Sequence, residues 1–380
     1  MQTLLKKVTT IILIATLFCA CEKTIDFDSN VVKSKIVVNG ILRPGLKIQA
    51  QIVGSRSQLS PENFFESLPE AQADLYVDGT FVETLTYVGK LDTFIEHLDY
   101  DVINKTPYNN GVYTGQTIAQ IGKTYRLEIS AKGYDAVSCK TTVPFPVKIM
   151  DADTSIHEKK EDDYTMSTQI KVAITFNDPP NINNYFRIQK ASFAGNVYAY
   201  SYGQDSIIYS DTILTQYVQN EWVDISDPVF NESDNEANEI VMGAPLNNYA
   251  IFTDEMFRNN QYTLTLSEYS YQYLDLKYQD NFRINTIVLC TLSEEYYNYL
   301  NTANYHHWFE DDYFSEPVPV YSNVIGGMGI WCAESFDEYE YKTGEYPLAG
   351  KTYIDYSDFR NNNDGNYGYG YGYGSSPYGY

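Results

Sequence analysis

His306, His307, Glu310, Asp311 and Asp312 form the one cluster in the sequence that reads as able to bind a metal. On a helix, His306 with Glu310 and His307 with Asp311 stand four residues apart, so each pair shares a face. Adjacent histidines diverge by about 100° there and do not easily share one ion, and the spacing matches no zinc-protease pattern. His306 and Glu310 are the candidate metal ligands; the favoured alternative is a solvated helix end packed through Trp308 and Phe309, with no metal bound. The acidic stretches 151–155 and 231–239 offer oxygen ligands but lack the Asp-x-Asp-x-Asp-Gly spacing of a calcium loop, so they read as solvated loops. There is no Gly-x-Ser-x-Gly, and four histidines in all give little support to a hydrolytic triad. No catalytic residue is assigned and no cofactor is expected. A glycosidase sets its two carboxylates by fold rather than by sequence spacing, so a glycan-active enzyme remains the less favoured reading beside a non-enzymatic one.

Tyrosine is the unusual residue, with 37 copies against 18 phenylalanines and 3 tryptophans. A flat ring with a hydroxyl suits interfaces and stacking against sugars or peptides, which makes Tyr198, Tyr200 and Tyr202 in "VYAYSYG" and Tyr271 and Tyr273 in "SEYSYQYLDLKY" the candidate ligand-binding residues. The competing explanation is that tyrosine fills strand positions well.

The elements that would position these residues are β-strands. "KIVVNGIL", with a turn signal at Asn39-Gly40, "KIQAQIVGS" and "ADLYVDGTFVETLTY" read as strands, and Asp78-Gly79 supplies a tight hairpin turn. "GKTYRLEISAKGYDAVSCKTTVP" reads as another hairpin, and Pro144 and Pro146 end the unit. The spacing predicts an immunoglobulin-like β-sandwich over residues 34–146. Ser57–Pro69 and much of Lys90–Asn110 read as loops, and "HEKKEDDY" as an exposed turn. Alternation at Ile170, Val172, Ile174 and Phe176, with further strands to "RINTIVLCTLS", predicts a second β-rich domain over 147–358. One helix is expected near 293–309: Ser293 or Thr291 serves as N-cap, Thr291 with Glu294 fits a capping box, and Tyr296, Leu300 and Ala303 share a face. The fold class is therefore all-β with one notable helix. Residues 359–380 form a Tyr/Gly-rich tail whose composition predicts disorder.

The N-terminus sets location. Lys6 and Lys7 precede an apolar run from Ile11 to Phe18, shorter than the roughly 18 residues that span a bilayer as a helix. Ala20 and Cys21 follow. This resembles the bacterial lipoprotein signal, in which cleavage falls before the cysteine and its thiol receives a diacylglycerol; residues 1–20 would be the signal, Cys21 the lipidated residue, and 21–33 the tether. Acyl chains contribute about 0.8 kcal/mol per buried methylene, and several chains anchor a protein stably. Glu22, Asp26 and Asp28 resemble the surface-export signals of Bacteroidota lipoproteins, and Asp205-Ser206-Ile207 and Asp211-Thr212-Ile213 resemble the O-glycosylation sites of secreted proteins from the same group. Losing residues 1–20 leaves 24 basic against 50 acidic side chains, a net of −26. A body this acidic repels phosphate backbones, so nucleic acid is not an expected partner. Among Cys139, Cys290 and Cys332, a Cys290–Cys332 bridge and buried free thiols both fit the sequence.

"CEKTIDFDSN", "KIVVNGIL", "GKTYRLEISAKGYDAV", "TTVP", "TLSEEYYNYL" and "SNVIGGMGIW", in that order, resemble the Bacteroidota lipoproteins grouped as domain-of-unknown-function family 4249. The resemblance covers about Cys21 to Asp358 and is best at Ser322–Ile330. It implies an outer-membrane lipoprotein, lipid-anchored and surface-exposed, working as accessory or substrate-capture partner of a TonB-dependent receptor. It carries over no catalytic residue. The alternative function is a structural or adhesion component of the surface.

Overall fold

A computed structural model describes residues 33–56, 66–89, 111–161, 165–180, 182–201, 207–209, 213–219, 227–231, 247–273, 279–309 and 318–343. The chain divides into two units, residues 1–34 with 56–64 and residues 35–55 with 65–380; the second carries the fold. Its strands are β1 (Ile36–Leu42), β2 (Lys47–Gly54), β3 (Glu66–Ser67), β4 (Gln72–Val77), β5 (Thr80–Thr84), β6 (Thr86–Gly89), β7 (Val112–Ile118), β8 (Thr124–Ser130), β9 (Val137–Thr142), β10 (Ile149–Lys160), β11 (Thr165–Asn177), β12 (Tyr185–Ser201), β13 (Ile207–Tyr209), β14 (Ile213–Gln219), β15 (Ile251–Thr253), β16 (Gln261–Tyr273), β17 (Gln279–Leu292) and β18 (Met328–Thr343). A helix, α1 (Glu294–Phe309), joins β17 to the approach to β18, and a 3₁₀ turn spans Pro228–Asn231. The protein is all-β with one α-helix among the described residues.

An eleven-stranded sheet runs β13-β12-β17-β18-β1-β2-β7-β6, with β14 and β15 also on β12 and β3 on β2. A four-stranded sheet, β5-β4-β8-β9, covers one half, and a three-stranded sheet, β10-β11-β16, the other. The first core fills the sandwich between the large and four-stranded sheets, joining Ile36, Val38, Ile48 and Ile52 to Leu75, Tyr125, Leu127 and Cys139. In the second, Ile170, Val172, Ile174 and Phe176 of β11, buried at every other position as the sequence pattern requires, meet Phe186, Ile188, Ile287 and Leu289 of the large sheet.

β18 binds the two halves together. It runs parallel to β1, from Val37 opposite Met328 to Leu42 opposite Ala333, and then antiparallel to β17, from Leu292 opposite Glu334 onward. Trp331 and Ala333 thereby enter the core of the N-terminal sandwich, so the sheet continues across the chain position where a boundary near 146 is expected. Where β18 changes partner, the buried side chains of Arg43 and Glu334 form an ion pair at 2.6 Å.

Several local expectations are corrected. Asn39-Gly40 is no turn: both lie inside β1, and the glycine is there because a Cβ at position 40 would meet the Trp331 ring at 2.5 Å. Residues 151–155 are no loop but part of β10, the edge strand of its sheet. "HEKK" continues that strand, since Lys160 still pairs with Met166. By contrast, the hairpin at Asp78-Gly79 forms with both residues at positive φ, 50° and 82°, the pair of values a tight two-residue turn needs.

Candidate functional site

Four of the five candidate tyrosines lie near the ends of two long strands. Tyr198 and Tyr200 lie in the last part of β12, while Tyr271 and Tyr273 finish β16. Gln279, the first residue of β17, stands opposite Tyr198. Tyr202, Cys21, Glu310, the stretch 232–239, the Asp-Ser/Thr pairs near 205 and 211, and the tail 359–380 lie outside the described residues.

His306, in the last turns of α1, is exposed, and its Nδ1 lies 2.8 Å from the Val318 carbonyl, tying the returning chain to the helix. Among the described residues no group of three or more His, Cys, Asp or Glu side chains is placed to hold a metal ion.

A second aromatic cluster surrounds α1, and sequence reading missed it. Tyr296 and Leu300 pack into the outer face of the large sheet against Val288, Cys290, Leu292, Ile330 and Cys332, and Tyr185, Tyr249, Tyr297, Tyr299 and Tyr321 line the rim half-buried. Tyr185 stacks on Tyr297 with ring centroids 4.9 Å apart. The buried Arg187 donates from Nε to the Tyr249 carbonyl at 3.2 Å and from Nη1 to the Tyr296 hydroxyl at 3.4 Å. Burial, and then the Glu294 charge, push the Tyr185 phenol above its ordinary value. Burial followed by Glu295 and Glu294 does the same to Tyr321. Both phenols therefore stay protonated and keep a hydrogen to donate. The signal was available in the sequence as Tyr296, Tyr297 and Tyr299 on a short helix, although Tyr185, Tyr249 and Tyr321 come from distant segments.

The helix is held firmly. Ser293 caps it, its Oγ accepting from the amides of Tyr296 at 3.4 Å and Ala333 at 3.2 Å. The expected capping box at Thr291 and Glu294 does not form: Thr291 Oγ1 instead accepts from the Val147 amide at 3.1 Å. Glu295 accepts from Thr141 of β9 at 3.1 Å.

Beside Tyr185 lies a buried carboxylate pair. Asp178 accepts from Asn184 Nδ2 at 2.8 Å and the Asn259 amide at 2.7 Å. Asp254 accepts from the Asn184 amide at 2.9 Å and Arg258 Nη2 at 3.1 Å. Burial, with the charge of Asp254 behind it, pushes the Asp178 carboxyl up. Each of the four oxygens already takes a protein donor, so the pair clamps two loops together and is not set up as an acid and a base facing a substrate.

The cysteines are settled by register. Cys139, Cys290 and Cys332 are buried thiols that form no disulfide. Cys290 stands opposite Phe336, four residues along β18 from Cys332, or about 13 Å of strand; a disulfide needs Cα atoms within roughly 7 Å. Burial pushes the Cys139 thiol up to about 12.

The fold and these surfaces define a β-sandwich protein with a tyrosine-rimmed helix lying on its large sheet. The chain belongs to the family described as Domain of unknown function (DUF4249), whose model matches residues 22–340. No curated protein matches the sequence.

Proposed function

We propose that the chain is an outer-membrane, surface-exposed lipoprotein, anchored through Cys21, that serves a TonB-dependent transporter as a non-enzymatic accessory or substrate-capturing partner. The observation that carries this reading is the order Lys6-Lys7, apolar Ile11–Phe18, Ala20-Cys21, followed after a polar tether by a β-sandwich. Among the described residues no helix is long and apolar enough to cross a membrane, and lipid on Cys21 supplies an anchor that needs none. Substrate or partner contact would use aromatic surfaces, the strand ends bearing Tyr198, Tyr200, Tyr271 and Tyr273 and the rim of α1, where protonated phenols lie beside stacked rings.

Protease shaving of intact cells, with the Cys21→Ala variant as control, tests the placement. The reading predicts that the wild-type chain is released into the medium while the variant is lost from the surface fraction. Equal surface exposure of the two would overturn anchoring through Cys21.

A further inference from the structure

We propose that the turn carrying Ile325 is the membrane-facing tip of the fold, an apolar wedge that seats the tether end of the sandwich on the lipid surface. The inference rests on the reading of Cys21 as the lipid anchor. Ile325 is the most exposed large hydrophobic side chain among the described residues, at 75 %, and Met328, three residues on, is 49 % exposed. An isolated apolar side chain on a surface needs no explanation. Its mounting and its place do.

The turn is fixed on every side. The Ile325 amide donates to the Ser138 carbonyl at 2.8 Å, and its own carbonyl accepts from the Ser138 amide at 3.2 Å. Asn323 then acts as a surrogate strand: Nδ2 donates to the Trp331 carbonyl at 2.7 Å and Oδ1 accepts from the Trp331 amide at 2.9 Å. Val324, next to the tip, is buried. The glycines that follow are there for close approach. A Cβ at Gly327 would lie 2.5 Å from the Ile36 carbonyl, and one at Gly326, which sits at φ +84°, would lie 3.2 Å from the Ala136 carbonyl. A Cβ at Gly329 would run into the Val38 carbonyl. The result is a backbone platform, stripped of side chains, from which Ile325 and Met328 project.

Ile36, against which Gly327 packs, is the first residue of β1. Fourteen residues, Glu22 to Lys35, separate it from Cys21 and span at most about 50 Å, so the chain from Cys21 enters the fold at this end. The charges here do not oppose contact. On a chain of net charge −24, the exposed Lys35 and Lys132 offset Asp135 and Glu66 at this end, Glu66 being tied to Tyr134 of the adjoining turn at 2.8 Å. The next most exposed large hydrophobic side chain among the described residues, Phe145 at 70 %, belongs to the opposite end. It packs on Gly122, in the link whose Ala119 carbonyl accepts from Gly45, beyond the far end of β1, about 20 Å away along the strand.

The test uses the full chain, expressed with its processing intact, purified in detergent and reconstituted into phosphatidylcholine vesicles with and without brominated acyl chains. Ile325→Trp and Phe145→Trp each place a reporter at an exposed position, and both are compared with wild type to subtract the native tryptophans. The expected result is a blue-shifted Ile325→Trp emission that loses intensity in brominated vesicles, with Phe145→Trp unchanged between the two. Quenching of Phe145→Trp alone, or of neither, on protein whose N-terminal peptide carries the acyl mass overturns the wedge while leaving the anchor standing. An N-terminal peptide without acyl mass overturns the anchor and the wedge with it.

Discussion

Replacing Gly40 by alanine pits two effects of opposite sign against each other. In a strand interior, alanine in place of glycine is favourable by roughly 0.5–1 kcal/mol, because less backbone freedom is lost on folding. Against this, the new methyl would sit 2.5 and 2.7 Å from Trp331 Cζ3 and Cε3, and 3.0 Å from the Gln49 carbonyl oxygen. The indole has little room to retreat: Trp331 is fully buried, and its Nε1 donates to the Tyr125 carbonyl at 3.2 Å across the sandwich. Overpacking of this kind costs about 1–3 kcal/mol, and displacing the ring endangers a hydrogen bond with a net value of about 1 kcal/mol. Gly40→Ala should therefore destabilise by about 1–3 kcal/mol. Urea unfolding followed by far-UV circular dichroism should show a lower midpoint at unchanged slope. Adding Trp331→Leu should recover part of the loss, with a coupling of at least about 1 kcal/mol between the two sites. A neutral or stabilising Gly40→Ala, or strict additivity with Trp331→Leu, would refute the claim that β1 and β18 lock together through this contact.

Further predictions concern protons and thiols. Glu83 accepts from the Gln116 amide at 2.9 Å and the Thr117 amide at 2.8 Å; burial works to raise its pKa, but these hydrogen bonds outweigh it and hold the carboxyl below its ordinary value. Its contribution is thus present above the unfolded-state pKa and lost as pH falls through the folded one. Glu83→Gln should cost about 1–2 kcal/mol near neutrality, a deficit that shrinks in acid when denaturation is repeated across pH. Asp178 is shifted the other way, by burial and then by Asp254, so its stabilising protonation is complete below the unfolded pKa and lost as pH rises through the folded one. Asp178→Asn should abolish that slope just above the ordinary carboxylate range, while costing about 1–3 kcal/mol because its amide nitrogen would face one of the two donors, Asn184 Nδ2 or the Asn259 amide. With Cys139, Cys290 and Cys332 buried and in no disulfide, native protein should leave all three unmodified by a thiol reagent and unfolded, unreduced protein should expose all three. Two thiols fewer after unfolding would mean a disulfide.

What was legible in the sequence is what is decided locally. Asp78-Gly79 announces its hairpin because the turn itself demands those residues. The helix from Glu294 shows in its cap and in the buried spacing of Tyr296 and Leu300, and the alternation from Ile170 to Phe176 shows a half-buried strand. Misreadings occurred where a distant partner decides. Asn39-Gly40 looks like a turn because the reason for the glycine, the Trp331 ring, lies 291 positions later. The acidic residues of 151–155 look like a loop because an edge strand leaves polar side chains in water. Thr291 looked equal to Ser293 as a cap until the Val147 amide claimed its hydroxyl. The pairing of β18 with both β1 and β17, and the tyrosines that Tyr185, Tyr249 and Tyr321 bring to α1, depend on contacts that no local pattern encodes.

The proposed function rests on partnership with a transporter at the outer membrane. The most direct measurement is purification of the chain at native expression in mild detergent, after cross-linking on intact cells, with the bound proteins identified by mass. The expected result is a TonB-dependent barrel recovered in constant proportion with the wild-type chain and lost with Cys21→Ala. Recovery of the acylated chain alone, with no barrel, would contradict it.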